Sequence, residues 1–211
     1  MQEGLNNRST DKYITIFDGK FTLRVPDGTP GAISRENKIG KVVHELSFDS
    51  FTGKLIDIAT KDSTAYGTSW LFTFVAGGEK YVWQTPYSNS FSTAFLKQLP
   101  NADLSKVMRL TPSTKIGDDG KTKSSLFVEQ DGVTLKHAYS KENPNGLPDM
   151  VQIKVKGQLQ WDDSDRVAFL HNMVETQIMP KLKEMYGDVS SSSPSKEVTL
   201  DDIEPLNEDP F

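Results

Sequence analysis

Two-residue turns built on glycine punctuate this sequence, and each sits between segments rich in β-forming residues. Asp18-Gly19 joins 13–17 (YITIF) to 21–25 (FTLRV), Gly77-Gly78 joins 70–75 (WLFTFV) to 81–85 (YVWQT), and Asp131-Gly132 joins 125–130 to 133–138. Such dipeptides supply the positive φ that a tight hairpin demands. Apolar residues that alternate with period two turn one face of each arm toward a core. A chain with these turns builds most of its fold from antiparallel strands. Further strands are expected at 42–48, 53–61 (GKLIDIATK), 106–111 (KVMRLT) and 151–160 (VQIKVKGQLQ).

Helical spacing occurs in two places. The segment 88–99 opens with Ser and Asn capping residues, repeats Phe91, Phe95 and Leu99, and stops at Pro100. The segment 164–185 follows Asp162 and Asp163 and carries Val167, Leu170, Met173, Val174, Gln177, Ile178, Leu182 and Met185 on one stripe. Pro180 should kink or split it, because proline has no N–H for the helical ladder.

From Gly53 the order is three strands, a short helix, then more strands. This is the order of an OB-fold, a small barrel with a helix between its third and fourth strands. The expectation is a mainly β, OB-fold-like barrel built from 53–61, 70–76, 79–86, 106–115 and 151–160. It would carry an N-terminal β-hairpin outside the barrel, an inserted hairpin at 124–139 and a long C-terminal helix. A β-sandwich of different connectivity is the rival. The domain division is a polar N-terminus at 1–12, one body at 13–187 and an acidic tail at 188–211.

Charge follows the same division. The chain of 211 residues has a formal net charge of −5, but 188–211 hold seven acids and one base, which leaves 23 bases and 22 acids elsewhere. The whole-chain figure therefore says little about the body. There is no cysteine, so neither a disulfide framework nor a thiolate metal site is available. No segment approaches the ~18–20 apolar residues of a membrane span, and the first residues do not read as a signal peptide.

Catalysis finds no constellation. His44, His137 and His171 belong to no two-histidine helix motif, nucleophile elbow or phosphate loop. His171 and Glu175, one helical turn apart, read as a surface pair, and Asp162, Asp163 and Asp165 as helix-start acids. No cofactor and no metal is expected. The aromatic residues carry more information. Trp70, Phe72 and Phe74 share one face of their strand, and Tyr81 and Trp83 one face of the next. Each ring is either core or a platform on which bases stack, and the second and third strands are where OB-folds bind oligonucleotides. On the second reading Trp70 and Trp83 lead, with Tyr81 and Phe72. Lys54, Lys61, Lys80, Lys106, Arg109, Lys115, Lys121 and Lys123 would supply the cationic groove for the phosphates. Each of these bases taken singly is also an ordinary solvated surface residue.

The tail 200–211 reads LDDIEPLNEDPF and follows a serine run. It is too polar to fold alone, yet Ile203, Leu206 and Phe211 are more apolar than solubility needs. A strand-rich body in OB order with a Ser-containing acidic tail ending in Pro-Phe resembles the single-stranded DNA-binding proteins of bacteria and tailed phages. The bacterial tip is an aspartate run followed by Ile-Pro-Phe, and Asp201-Asp202-Ile203 and Asp209-Pro210-Phe211 match it in pieces. The resemblance is specific over the tail and architectural over the body. The N-terminal hairpin and the 164–185 helix lie outside the bacterial pattern. The resemblance implies a non-enzymatic protein of the bacterial or host cytoplasm. It would coat single-stranded DNA with little sequence preference in replication or recombination. Its tail residues Asp201, Asp202, Ile203, Asp209, Pro210 and Phe211 would recruit partner proteins. The alternative is a β-rich interaction or assembly module whose acidic tail binds a partner.

Overall fold

The computed structural model describes residues 11–37, 40–64, 67–118 and 120–187. The acidic tail and nearly all of the N-terminal segment lie outside the described residues. The strands are β1 (Lys12–Phe17), β2 (Lys20–Arg24), β3 (Ile33–Glu36), β4 (Val42–Phe48), β5 (Phe51–Ser63), β6 (Gly67–Ala76), β7 (Glu79–Pro86), β8 (Met108–Ile116), β9 (Thr122–Gln130), β10 (Val133–Thr134), β11 (Val151–Val155) and β12 (Gln158–Asp162). Helix α1 spans Ser90–Gln98, and α2 (Ser164–Met173) and α3 (Met179–Tyr186) flank a π-helical turn at Val174–Ile178.

The protein is mainly β. Ten strands form one sheet in the order β10-β9-β8-β5-β6-β7-β1-β2-β4-β3, and β11 and β12 form a separate ribbon. The β1–β7 ladder is parallel and its neighbours are antiparallel. The thirteen-residue β5 serves two partners. Phe51–Gly53 pair with β8 and the remainder pairs with β6, with a bulge between Leu55 and Asp57. A bulge bends its strand and increases local twist, which lets one strand turn between two ladders.

The expected barrel does not close. Within the sheet, β8-β5-β6-β7 stand in the anticipated order with α1 between β7 and β8 in the chain. The final strand is β9, not 151–160, and the ladder that would join β7 to β9 is absent. Both edges are already occupied. Along β7, β1 pairs through Lys12↔Tyr81, Tyr13↔Val82 and Ile14↔Trp83, so the N-terminal hairpin is part of the sheet and not an appendage. Along β9, the buried Gln98 carboxamide takes the ladder's place. Its Nε2 donates to Leu126 O (2.9 Å) and its Oε1 accepts from Val128 N (3.2 Å). Val128 O accepts from Leu135 N (2.7 Å). The expected second arm at 133–138 shortens to β10.

The sheet nevertheless curls. The Asp18-Gly19 turn has φ of 47° and 69°. A Cβ on Gly19 would lie 2.7 Å from the Thr114 backbone nitrogen of β8, so the turn packs against a strand five places away in the sheet order. Phe21 of β2 stands 5.9 Å from both Phe51 and Trp83, ring centre to ring centre. The enclosed core holds Trp70, Phe72, Phe74, Trp83, Leu55 and Met108, all essentially inaccessible.

Helix α1 begins where Asn89 Oδ1 accepts from Phe91 N (2.8 Å), the expected capping arrangement. It buries Phe91, Phe95 and Leu96 against the sheet, with the Phe95 ring edge-on to Phe72 at 4.9 Å. The C-terminal helix buries Val167, Leu170, Met173, Val174, Ile178 and Leu182 of the expected stripe, while Gln177 and Met185 are exposed. Its irregularity precedes Pro180. In the π turn the amide of Met179 reaches Val174 O, five residues back. Pro180 thereby falls in the first turn of α3, where a missing N–H is tolerated.

The Gln98 bridge yields a test. Gln98→Met keeps the length of the side chain and removes both polar contacts, leaving a buried carbonyl and amide without partners. Urea unfolding should show a loss of about 2 kcal/mol or more.

Candidate nucleic-acid interface

The sheet separates the two sets of predicted binding residues. Across β6 and β7, Phe72 pairs with Trp83 and Phe74 with Tyr81, while Val75 pairs with Lys80. Across β5 and β6, Lys54 pairs with Val75 and Lys61 with Ser69. Neighbouring residues on a strand face opposite ways. The rings therefore face the core and Lys54, Lys61 and Lys80 face away from it. Trp70, Phe72 and Trp83 are 1%, 0% and 0% exposed. A ring with no exposed face cannot stack on a base, so their assignment as platforms is corrected: they are core. Tyr81 is half-buried at the rim. Its hydroxyl donates to Glu79 Oε2 (3.1 Å) and its ring packs 5.3 Å from Phe51.

The remaining predicted bases divide. Lys106 is engaged by Asp131 (2.7 Å) and lies 3.8 Å from Asp103. The hydrogen bond to Asp131 raises its ammonium above the ordinary lysine range. Arg109, Lys115 and Lys123 share the outward face of the β8–β9 hairpin, and Lys121 follows Gly120 in the loop joining these strands, which also carries Asp118.

That outward face has an order dictated by alternation. Met108, Leu110 and Pro112 of β8 and Leu126 and Val128 of β9 are buried. The residues between them face out and pair as Arg109↔Glu129, Thr111↔Phe127, Ser113↔Ser125 and Lys115↔Lys123. Phe127 is 48% exposed. An exposed ring is thus followed along the hairpin by a pair of hydroxyls and then by two ammonium groups. At the other end Arg109 Nη1 lies 4.0 Å from Glu129 and its Nε donates to Ser50 Oγ (3.3 Å). Thr52 pairs with Arg109, which continues the face onto β5 toward Lys54.

The sequence signal for Phe127 is the alternation in 122–130, TKSSLFVEQ. Leu126 and Val128 take the buried face and Phe127 the other. Other exposed rings are Trp161 on the β11–β12 ribbon, at 43%, Phe48 at the end of β4, at 45%, and Phe17 at the end of β1, at 40%.

The histidines do not assemble a catalytic site. Ser34 Oγ is 2.8 Å from His44 Nδ1, and Asp27 Oδ1 is 3.5 Å from the same nitrogen. A relay needs nucleophile and orienting carboxylate on opposite ring nitrogens. His171 Nε2 lies 3.1 Å from Glu175, the pair expected from their spacing, and its ring packs against Trp70 and Tyr87. His137 is exposed, and partial desolvation followed by the charge of Lys97 lowers its pKa. Among the described residues no group of His, Asp and Glu is placed to hold a metal ion. Nor is any helix among them long and apolar enough to cross a membrane.

No protein-family model, characterised protein or solved structure matches this chain.

The buried tryptophans differ in one respect. Trp70 Nε1 donates to Tyr87 O (3.2 Å), whereas Trp83 Nε1 makes no hydrogen bond. Both Trp→Phe changes shrink a core side chain, but Trp70→Phe also strips a carbonyl of its donor. Chemical denaturation should show Trp70→Phe to be the more destabilising, by about 1 kcal/mol.

Proposed function

We propose that this chain binds single-stranded DNA with little sequence preference and has no catalytic turnover of its own. The strand would run along the outward face of β8 and β9. The observation that carries this reading is the Phe127 row: an exposed ring beside Thr111, then Ser113 and Ser125, then Lys115 and Lys123. A ring offers a stacking surface to any base. Ammonium groups and hydroxyls suit phosphate oxygens and carry little sequence information. The order β9-β8-β5-β6-β7 with α1 after β7 supports an OB-like ancestry for the sheet, with its closing ladder replaced. The acidic Pro-Phe tail supports a role in recruiting replication or recombination proteins in a bacterial or host cytoplasm.

One observation favours the other reading, a β-rich assembly module. Edge strand β3 and its neighbour expose Ile33 and Val42, at 65% and 58%, and an exposed strand edge can accept a partner's strand.

Titration of a labelled thymidine oligomer by fluorescence anisotropy separates the two. A single-strand binder loses affinity steeply between 50 and 200 mM salt, whereas an assembly module shows no binding. Phe127→Ala should weaken binding by about 1–3 kcal/mol. Lys115→Glu with Lys123→Glu should flatten the salt dependence by about 1.4 in log–log slope, from roughly 0.7 per phosphate contact. Removing 200–211 should leave affinity unchanged or higher, because a competing polyanion is gone. Failure of the oligomer to bind at low salt overturns the proposal.

A further inference from the structure

The β11–β12 ribbon stands apart from the ten-stranded sheet. Its register is Val151↔Asp162, Gln152↔Trp161, Ile153↔Gln160, Lys154↔Leu159 and Val155↔Gln158. Val151 and Ile153 occupy one face, and Leu159 and Trp161 the other. Every ribbon residue except Val155 and Asp162 is exposed, so the blade has apolar groups in water on both sides. An isolated two-stranded ribbon is marginal in water, yet this one is anchored at its base. Arg166 Nε of α2 donates to Pro148 O (3.1 Å), just before β11. At the end of β12, Asp162 accepts from Ser164 N (3.0 Å), and the next residue, Asp163, accepts from the Ser88 hydroxyl. Both ends of the ribbon are thus tied to the start of α2, and the second also to the loop leading into α1.

Charge selects the occupant. From Val151 to Trp161 the sequence is VQIKVKGQLQW, with two lysines, three glutamines and no acid. The nearest acids in sequence lie at the base, where Asp162 and Asp163 accept hydrogen bonds from serines and Asp149 lies 4.0 Å from Arg166. A second copy meeting the ribbon about a two-fold axis would set the same surface against itself and bring two further lysines to the stretch 151–161, which has no acid to pair with them. A polyanion with apolar bases complements it.

We propose that the ribbon is a second contact for single-stranded nucleic acid. Trp161 would stack on a base, Lys154 and Lys156 would take phosphates, and Gln152, beside the ring, would reach a base edge. The inference rests on the reading of the chain as a single-strand binder and adds a site to the β8–β9 face.

The test uses the full chain and a thymidine oligomer, with anisotropy and intrinsic fluorescence read together. Trp70 and Trp83 are buried, so contact-dependent quenching reports on Trp161. Quenching on binding, and its loss in Trp161→Phe, is the expected result. Trp161→Ala should lower affinity about fivefold or more with an unchanged melting temperature. Lys154→Glu with Lys156→Glu should reduce the salt slope by about 1.4; this pair keeps the cross-strand Trp161–Gln152 contact and so stands if the alanine variant loses the ribbon. If the oligomer binds without quenching and neither variant changes affinity, the ribbon contact is overturned and single-strand binding stands. If Trp161→Ala splits a dimer seen by sedimentation without changing oligomer affinity, the ribbon joins copies and the inference is likewise overturned. If the wild-type chain binds no oligomer, both readings fall.

Discussion

The carboxamide of Gln98 sits at the end of α1, essentially buried, with its nitrogen and oxygen each engaged by the backbone of β9. A strand edge inside a protein cannot leave its amides and carbonyls unpaired. The available solutions are another strand or a side chain that imitates one. Here a helix supplies the imitation, and the position of α1 follows from it. Ala94 O also accepts from the same nitrogen at 2.9 Å, so the amide ties the helix's own last turn to the sheet. With β9 satisfied in this way and β7 paired to β1, the sheet has no edges left to join at that point. It stays open in hydrogen bonding while closing around its core by curvature.

That curvature assigns roles to the residues. The inward face collects the large rings, which meet edge-on: Phe72 against Phe95 joins sheet to helix, and Phe74 against Phe51 joins β6 to β5. The outward face of β8–β9 collects small hydroxyls, cations and one ring. Core and interface are drawn from alternate positions of the same strands. A change that slips the register by one residue would exchange them.

Much of this was legible in the sequence. Asp18-Gly19, Gly77-Gly78 and Asp131-Gly132 mark hairpin turns, and the succession β5, β6, β7, α1, β8 follows from pattern, whereas β9 reads as part of an inserted hairpin and takes the place expected for 151–160. Both helices lie where capping residues and spacing put them. What pattern could not supply was pairing across long separations. Nothing local says that Lys12–Ile14 will lie parallel to Tyr81–Trp83, or that Gln98 will reach Leu126 and Val128. Those choices depend on which partner fills an edge. The misplaced platform has a related cause. Alternation showed that Trp70, Phe72 and Trp83 share faces, but only the sheet's direction of curl decides which face is inside. Phe127 was passed over because two buried neighbours make its segment read as a plain apolar run.

The parallel seam between β1 and β7 sets an order of events during synthesis. The β1–β2 hairpin leaves the ribosome before β7, and about sixty residues must follow Arg24 before Tyr81–Trp83 exist to receive it. At roughly 5–20 residues per second, the hairpin waits for seconds with Ile14 and Ile16 unburied and the β7-facing edge of β1 without its strand. Its other neighbour, β4, pairs with β2 through Phe21↔Phe48 to Arg24↔Glu45 and emerges within that interval. A four-stranded N-terminal unit can therefore assemble early, and the arrival of β7 welds it to the rest.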